Sequence, residues 1–200
     1  MPMQEIVIFG RGGQGNVAAA EILAIAAFDD GVFSQAYPFF GSERTGSPVQ
    51  AYVRLDDKPI RLRTQVREAD ILIIQDETLL GTASMPRVKS FGTIIANSRK
   101  KPDELGIGAV ANLWTLPALA IAQEVIGRPN ANVVMLGAFA AVTGAVSLPA
   151  IQRATRKRFP GTPGELNSQA AERAYRLLLE EKKGYELTTG PSGAARHQPS

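Results

Sequence analysis

Cysteine is absent from the 200 residues, and histidine occurs once. The chain therefore has no disulfide, no thiolate nucleophile and no cysteine ligands for an iron–sulfur cluster. His197 lies in a terminal stretch rich in Gly, Pro, Ser and Ala, so a histidine-based triad or a multi-histidine metal site is excluded as well. Any redox or acyl chemistry must draw its reactive centre from a cofactor or another chain. Long apolar runs are scarce. The most membrane-like stretch, Val133 to Ile151, is interrupted by Gly137, Thr143, Gly144, Ser147 and Pro149 and is rich in alanine. It reads as a buried helix followed by a cap rather than a span. The N-terminus lacks a basic n-region, and its first apolar run, Ile6 to Phe9, leads directly into glycines. Neither a secretory leader nor a membrane span is expected, and a cytoplasmic location is.

Charge of one sign is also in short supply. Lys and Arg number 22 against 19 Asp and Glu, a formal net charge of +3. Without a long basic run, no nucleic-acid partner is expected. A hydrophobic fraction of 44% with 20% charged residues can bury a core, which excludes disorder across the whole chain. The length suits one domain, placed at residues 1–187, with residues 188–200 as a flexible or partner-docked tail.

What is present begins with Glu5-Ile-Val-Ile-Phe9, an apolar run of the kind that forms a buried parallel strand. Gly10-Arg-Gly-Gly-Gln-Gly15 follows, then a helical pattern from about Asn16 to Phe28, a break at Gly31 and a second strand over Val32 to Tyr37. Strand, glycine turn, helix and strand make the first unit of a doubly wound sheet. Tyr37-Pro-Phe-Phe-Gly-Ser-Glu-Arg-Thr-Gly-Ser-Pro48 is too rich in Pro and Gly for a regular element, yet its aromatics imply order against something. Val49 to Leu55 alternates as a strand, with Asp56 to Pro59 as a hairpin turn before Ile60 to Leu62. Further strands are expected at Ile71 to Ile74 and Gly92 to Ala96. Helices are expected over Thr115 to Ile126, Asn132 to Val146, a short one after the cap Ser147 to about Arg158, and an amphipathic one from the capping-box pattern Thr162-Pro-Gly-Glu165 to about Lys183. The class is α/β: a Rossmann-like, doubly wound, mostly parallel sheet with an inserted hairpin and C-terminal helices.

Gly10-x-Gly12-x-x-Gly15 has dinucleotide-binding spacing in the right strand-to-helix context, and a helix N-terminus presents free amides to an anion. The acidic residue that usually holds the ribose about 20 positions on is missing, and Gln35 stands near its place. Three readings stay open: a turn used for packing or protein contact, NAD binding, and another phosphate-bearing ligand. Glu43-Arg44 is a plain solvated pair, a buried pair ordering its loop, or part of a ligand clamp. Asp76-Glu77 lies at the carboxyl end of a strand, where it can cap the next helix or meet a ligand. Arg153, Arg156, Lys157 and Arg158 read as a solvated helix end favoured by the helix dipole, with phosphate contact as the alternative.

Two of these motifs, residues 6–17 (Ile-Val-Ile-Phe-Gly-Arg-Gly-Gly-Gln-Gly-Asn-Val) and residues 35–49 (Gln-Ala-Tyr-Pro-Phe-Phe-Gly-Ser-Glu-Arg-Thr-Gly-Ser-Pro-Val), together resemble the gamma subunit of the 2-oxoacid:acceptor oxidoreductases. That family includes pyruvate:ferredoxin and 2-oxoisovalerate:ferredoxin oxidoreductases. The resemblance extends through Val53-Arg54, Pro59-Ile60 and Ala69-Asp70 to the final helix near Tyr175. One departure is Thr45, where many members would carry a second arginine. The resemblance implies a complex that decarboxylates a 2-oxoacid oxidatively to an acyl-coenzyme A. Thiamine diphosphate with magnesium would lie on alpha and beta subunits, and iron–sulfur clusters, including those of a ferredoxin-like delta subunit, would carry the electrons. This chain would hold none of these centres and no catalytic residue, in keeping with its lack of cysteine. Gly10, Arg11, Gly12, Gly13, Gln14, Gly15 and Asn16 would then serve either coenzyme A or a subunit contact bordering it. Glu43 and Arg44 would belong to an interface loop. The competing assignments are a stand-alone NAD-binding oxidoreductase and a regulatory binding module.

Overall fold

The computed structural model describes residues 2–39, 46–62, 64–106 and 112–189. Its central strand is β1 (Gln4–Arg11), whose apolar run is buried on both sides. Ile6 and Ile8 point into one core cluster, Val7 and Phe9 into another. Each such side chain contributes roughly 1.5–3 kcal/mol on burial, which explains why this strand occupies the middle of the sheet. After α1 (Asn16–Asp29) come β2 (Phe33–Phe39), β3 (Pro48–Asp56), β4 (Glu68–Ile74), β5 (Arg87–Asn97) and β6 (Asn112–Leu116). The sheet order is β2-β3-β1-β4-β5-β6. β1, β4, β5 and β6 pair in parallel, while β3 is antiparallel to both β1 and β2.

The α/β, Rossmann-like class therefore stands, with the sheet mixed at one side. Val32 to Tyr37 does form a strand, but β3 separates it from β1. The inserted hairpin is made of β2 and β3; Ile60 to Leu62 is extended chain outside any strand. A side chain explains the last point. Arg54 is fully buried, and its Nη1 bonds Leu62 O at 3.2 Å while Nη2 bonds Thr64 O at 2.5 Å. The guanidinium takes the carbonyls that a ladder would otherwise use, and it pins this segment across the sheet as a strap.

The long helices are α2 (Ala118–Ile126), α3 (Asn132–Thr143), α4 (Leu148–Arg158) and α5 (Thr162–Thr189). Their core residues, with those of α1, fall in a single cluster on one face of the sheet. α3 is buried from Asn132 through Ala141 and packs chiefly along α5, as its unbroken apolar sequence demands. The opposite cluster holds Val66 from the strap and Leu79 from a 3-10 turn (Glu77–Leu79), and no α-helical residue. Ser147 caps α4 as expected, its hydroxyl accepting from Ala150 N at 3.3 Å. Glu165, expected to complete a capping box, instead pairs with Arg156 at 2.8 Å. β6 and the later start of α2 divide what the sequence suggests is one helix from Thr115. No helix among the described residues is long and apolar enough to cross a membrane.

Candidate functional site

The glycine turn sits at the carboxyl edge of the parallel strands, where open α/β sheets place their sites. Gly10 and Arg11 still pair with Val49 and Pro48 of β3. The chain then folds back, with Gln14 N bonding Arg11 O at 3.1 Å and Arg11 N bonding Gln14 Oε1 at 2.7 Å. Gly12 exchanges bonds with the returning loop, its amide donating to Ser47 O at 2.9 Å and its carbonyl accepting from Gly46 N at 3.4 Å. At two of the glycines an added Cβ would displace the amide end of a neighbouring side chain. A Cβ at Gly10 would stand 2.6 Å from Asn16 Oδ1, and one at Gly15 would stand 2.5 Å from Asn132 Nδ2. Gly15 also has φ +78°, a left-handed conformation that costs other residues roughly 1–2 kcal/mol. Gly13 differs: φ is +93°, but nothing lies within 4 Å of the Cβ position.

Arg11 is the organising charge. Its Nε donates to Asp76 Oδ2 at 3.0 Å, Nη1 to Gly46 O at 3.0 Å and Nη2 to Thr78 Oγ1 at 2.7 Å. Gln14 Nε2 adds a bond to the same Asp76 oxygen at 3.1 Å. Asp76 therefore fulfils both sequence readings at once, because its other oxygen caps the 3-10 turn through Thr78 N at 3.0 Å. Burial by itself would raise the Asp76 pKa. Hydrogen bonds from Thr78 and Gln14 and the Arg11 charge outweigh it, so the carboxyl is held below its ordinary value.

Beneath the turn lies a relay of buried amides: Asn16, expected to serve coenzyme A or a subunit contact, is one of them, and sequence reading passed over the other two, Gln75 and Asn97. Asn97 Oδ1 accepts from Leu119 N at 3.2 Å, at the start of α2, and its Nδ2 donates to Gln75 O at 2.9 Å. Gln75 Nε2 donates to Asn16 Oδ1 at 2.8 Å, in the first turn of α1. All three side chains are buried. The available signal was a polar residue placed directly after each apolar strand, Gln75 after Ile74 and Asn97 after Ala96.

Glu43 and Arg44 lie outside the described residues, as does Thr45. Gln35 is brought nowhere near the turn. It pairs with Arg54 of β3, which pairs with Glu5, so Gln35 stands level with a residue five positions before Gly10. That is about 17 Å along the strand, because the second strand is not adjacent to the first. The place where a dinucleotide-binding fold holds its ribose is occupied here by the start of β3. The basic end of α4 forms surface pairs, Arg153 with Asp29 at 3.7 Å and Arg158 with Glu21 at 3.6 Å. Among the described residues no group of His, Cys, Asp and Glu is placed to hold a metal ion.

Comparison with known proteins is consistent across sequence and structure. Residues 5–177 match the model of the pyruvate ferredoxin/flavodoxin oxidoreductase family. The chain is 49% identical over 181 residues to pyruvate synthase subunit PorC of Methanosarcina barkeri, covering 90% of this chain and 100% of the relative. It is 45% identical over 177 residues to the pyruvate/ketoisovalerate oxidoreductases common subunit gamma of Thermococcus kodakarensis, covering 86% and 96%. Among solved structures it resembles the pyruvate oxidoreductase subunit PORC of Thermotoga maritima. The TM-score is 0.78 at 32% identity, covering 88% of this chain and 97% of that one.

Proposed function

This chain belongs to the pyruvate ferredoxin/flavodoxin oxidoreductase family as a gamma subunit, and from that premise we propose that its glycine turn is a docking edge for the catalytic partner chains. The observation that carries this reading is the state of Arg11. Each of its guanidinium nitrogens bonds within the chain, so three of its five N–H donors hold it to the turn as a structural strut. What the turn offers outward is a preformed backbone knob with Gly13 exposed at its tip. Gly10 and Gly15 allow its internal packing, and Gly13 allows close approach from outside. Glu43 and Arg44, which lie outside the described residues, are kept in this proposal as interface residues.

The partners in this reading are alpha and beta chains that hold thiamine diphosphate with magnesium, and a ferredoxin-like delta chain with iron–sulfur clusters, assembled in the cytoplasm. The chain contributes no catalytic residue. It completes an enzyme that converts a 2-oxoacid to an acyl-coenzyme A.

A second reading places coenzyme A at the same edge. It is favoured by the first turn of α1, whose leading amides have no intrahelical partner, and Gly15 supplies no side-chain cap. Gly12→Ala in the co-expressed complex separates the two. Docking predicts loss of assembly, with unchanged coenzyme A kinetics in the complexes that form. A raised Michaelis constant for coenzyme A, with assembly and thiamine content intact, would replace docking by the coenzyme reading.

A further inference from the structure

Gln75 follows directly on Ile74, where an apolar residue would simply continue the buried run of β4. It is itself 1% exposed. Its side-chain oxygen Oε1 is buried and accepts no hydrogen bond among the described residues, a condition that native structures rarely leave uncorrected. An unpaired buried acceptor of this kind costs more than one typical hydrogen bond returns.

The neighbours show why the oxygen is left over. Asn16 Nδ2 lies 3.5 Å from Arg11 O and 3.4 Å from Val49 O. Two carbonyls face only a donor, so that end of the Asn16 amide is its nitrogen and the other end, Oδ1, is turned to Gln75. Gln75 can meet an oxygen only with Nε2, which it does at 2.8 Å. Its own oxygen is then the end without a partner. The backbone of Gln75 is fixed as well, N donating to Phe9 O at 2.8 Å and O accepting from Asn97 Nδ2 at 2.9 Å. The side chain therefore reaches from the locked end of β4 to the first turn of α1. Asn16 carries that hold into the glycine turn, because its nitrogen meets Arg11 O from beneath. Its Oδ1 lies 2.6 Å from where a Cβ on Gly10 would stand, so the position of Asn16 decides where the turn can lie.

We propose that Gln75 is a positioning residue of the docking edge: through Asn16 it sets where the glycine turn stands over the ends of β1 and β4. The inference rests on the docking reading above and deepens it. Gln75 is too buried to touch a partner and acts only through Asn16. The fold alone would favour an apolar residue at this place, and chains depart from the most stable choice where function requires it.

The test uses the free chain and the co-expressed complex. Gln75→Met keeps the side-chain length and removes the unpaired oxygen, but leaves Asn16 Oδ1 unpaired instead. The thermal midpoint of the free chain is expected to move by less than about 4 °C. Association with the partner chains weakens about tenfold, and amide exchange at Gly12 becomes faster. Combining Gln75→Met with Asn16→Leu makes both members of the pair apolar, an exchange that is neutral or stabilising when shape is kept. The free chain then regains at least the wild-type midpoint, while association stays as weak as in Gln75→Met. A purely structural Gln75 would not give this divergence, because association would follow the midpoint. Wild-type association in Gln75→Met, where Gly12→Ala disrupts assembly, overturns the inference and leaves the docking reading standing. Unchanged exchange at Gly12, association that recovers with the midpoint in the double variant, or failure of both variants to fold does the same. Intact assembly in Gln75→Met and Gly12→Ala alike, with a raised Michaelis constant for coenzyme A, overturns the docking reading and the inference together.

Discussion

Arg11 and Asp76, 65 positions apart in the chain, meet with Nε 3.0 Å from Oδ2, and this contact ties the glycine turn to the end of β4. Removing the charge of Asp76 loosens the turn from one side while leaving the fold above it intact. Asp76→Asn is expected to speed amide exchange at Gly12 and Gln14 and to weaken assembly, with no change in the exchange of the β1 core. Equal protection of the turn in the variant would show that the contact is incidental.

The same pair predicts a pH dependence. The Asp76 carboxyl is held below its ordinary value in the folded chain. Its contribution to stability is therefore complete above the unfolded-state value of about 3.9 and is lost as the pH falls through the lower folded value. Urea denaturation of the free chain at a series of pH values below 5 should show a steeper loss for wild type than for Asp76→Asn. Parallel curves would contradict this.

Gly13 and Gly15 form a matched pair for testing what the turn requires. Both have positive φ, but only at Gly15 does a Cβ meet Asn132, at 2.5 Å. Gly13→Ala should cost the backbone penalty alone, about 1–2 kcal/mol. Gly15→Ala adds a clash with a buried side chain and should cost clearly more. Chemical denaturation of the two variants decides this, and a larger effect at position 13 would be the wrong sign.

Arg54 supports a prediction remote from the turn. It is fully buried against Glu5 Oε1 at 3.0 Å and lies over the ring of Tyr37, with 5.4 Å from Cζ to the ring centroid. Arg54→Ala removes the partner of Glu5 and of the Leu62 carbonyl and leaves Thr64 O to Tyr37 Oη alone, and breaking a buried pair in this way costs about 3–5 kcal/mol. Limited proteolysis should then cut first between Asp57 and Arg67. Cleavage elsewhere at the earliest times would argue that the strap is held by its apolar contacts.

The parts of the fold legible in the sequence are those set by neighbours in the chain. The β1 run, the glycine turn, the caps at Ser147 and Asp76 and the apolar length of α3 all announce themselves within a few residues. Strand order does not. Nothing local in Val49 to Leu55 says that it will pair with β1 on one side and β2 on the other, and Gln35 was placed near the turn only by assuming adjacency. β6 was hidden because its last residues, Thr115 and Leu116, also fit the apolar spacing of the helix that follows. The Asn16–Gln75–Asn97 relay escaped notice for a different reason. Polar residues after a strand read as the start of a loop, and only the converging helix starts turn them into interior groups.

The insertion of β3 beside β1 also shapes how this protein must be made. Arg11 has no partner across that edge until Pro48 has been synthesised, and Gln4 none until Leu55. At about 5–20 residues per second, the first-made strand waits roughly 2–10 s for its neighbour. Its Ile6 to Phe9 segment, destined for complete burial on both faces, spends that interval as an apolar ribbon with both edges open. The stability of the finished subunit does not measure this interval, in which burial of the segment depends on chain not yet made.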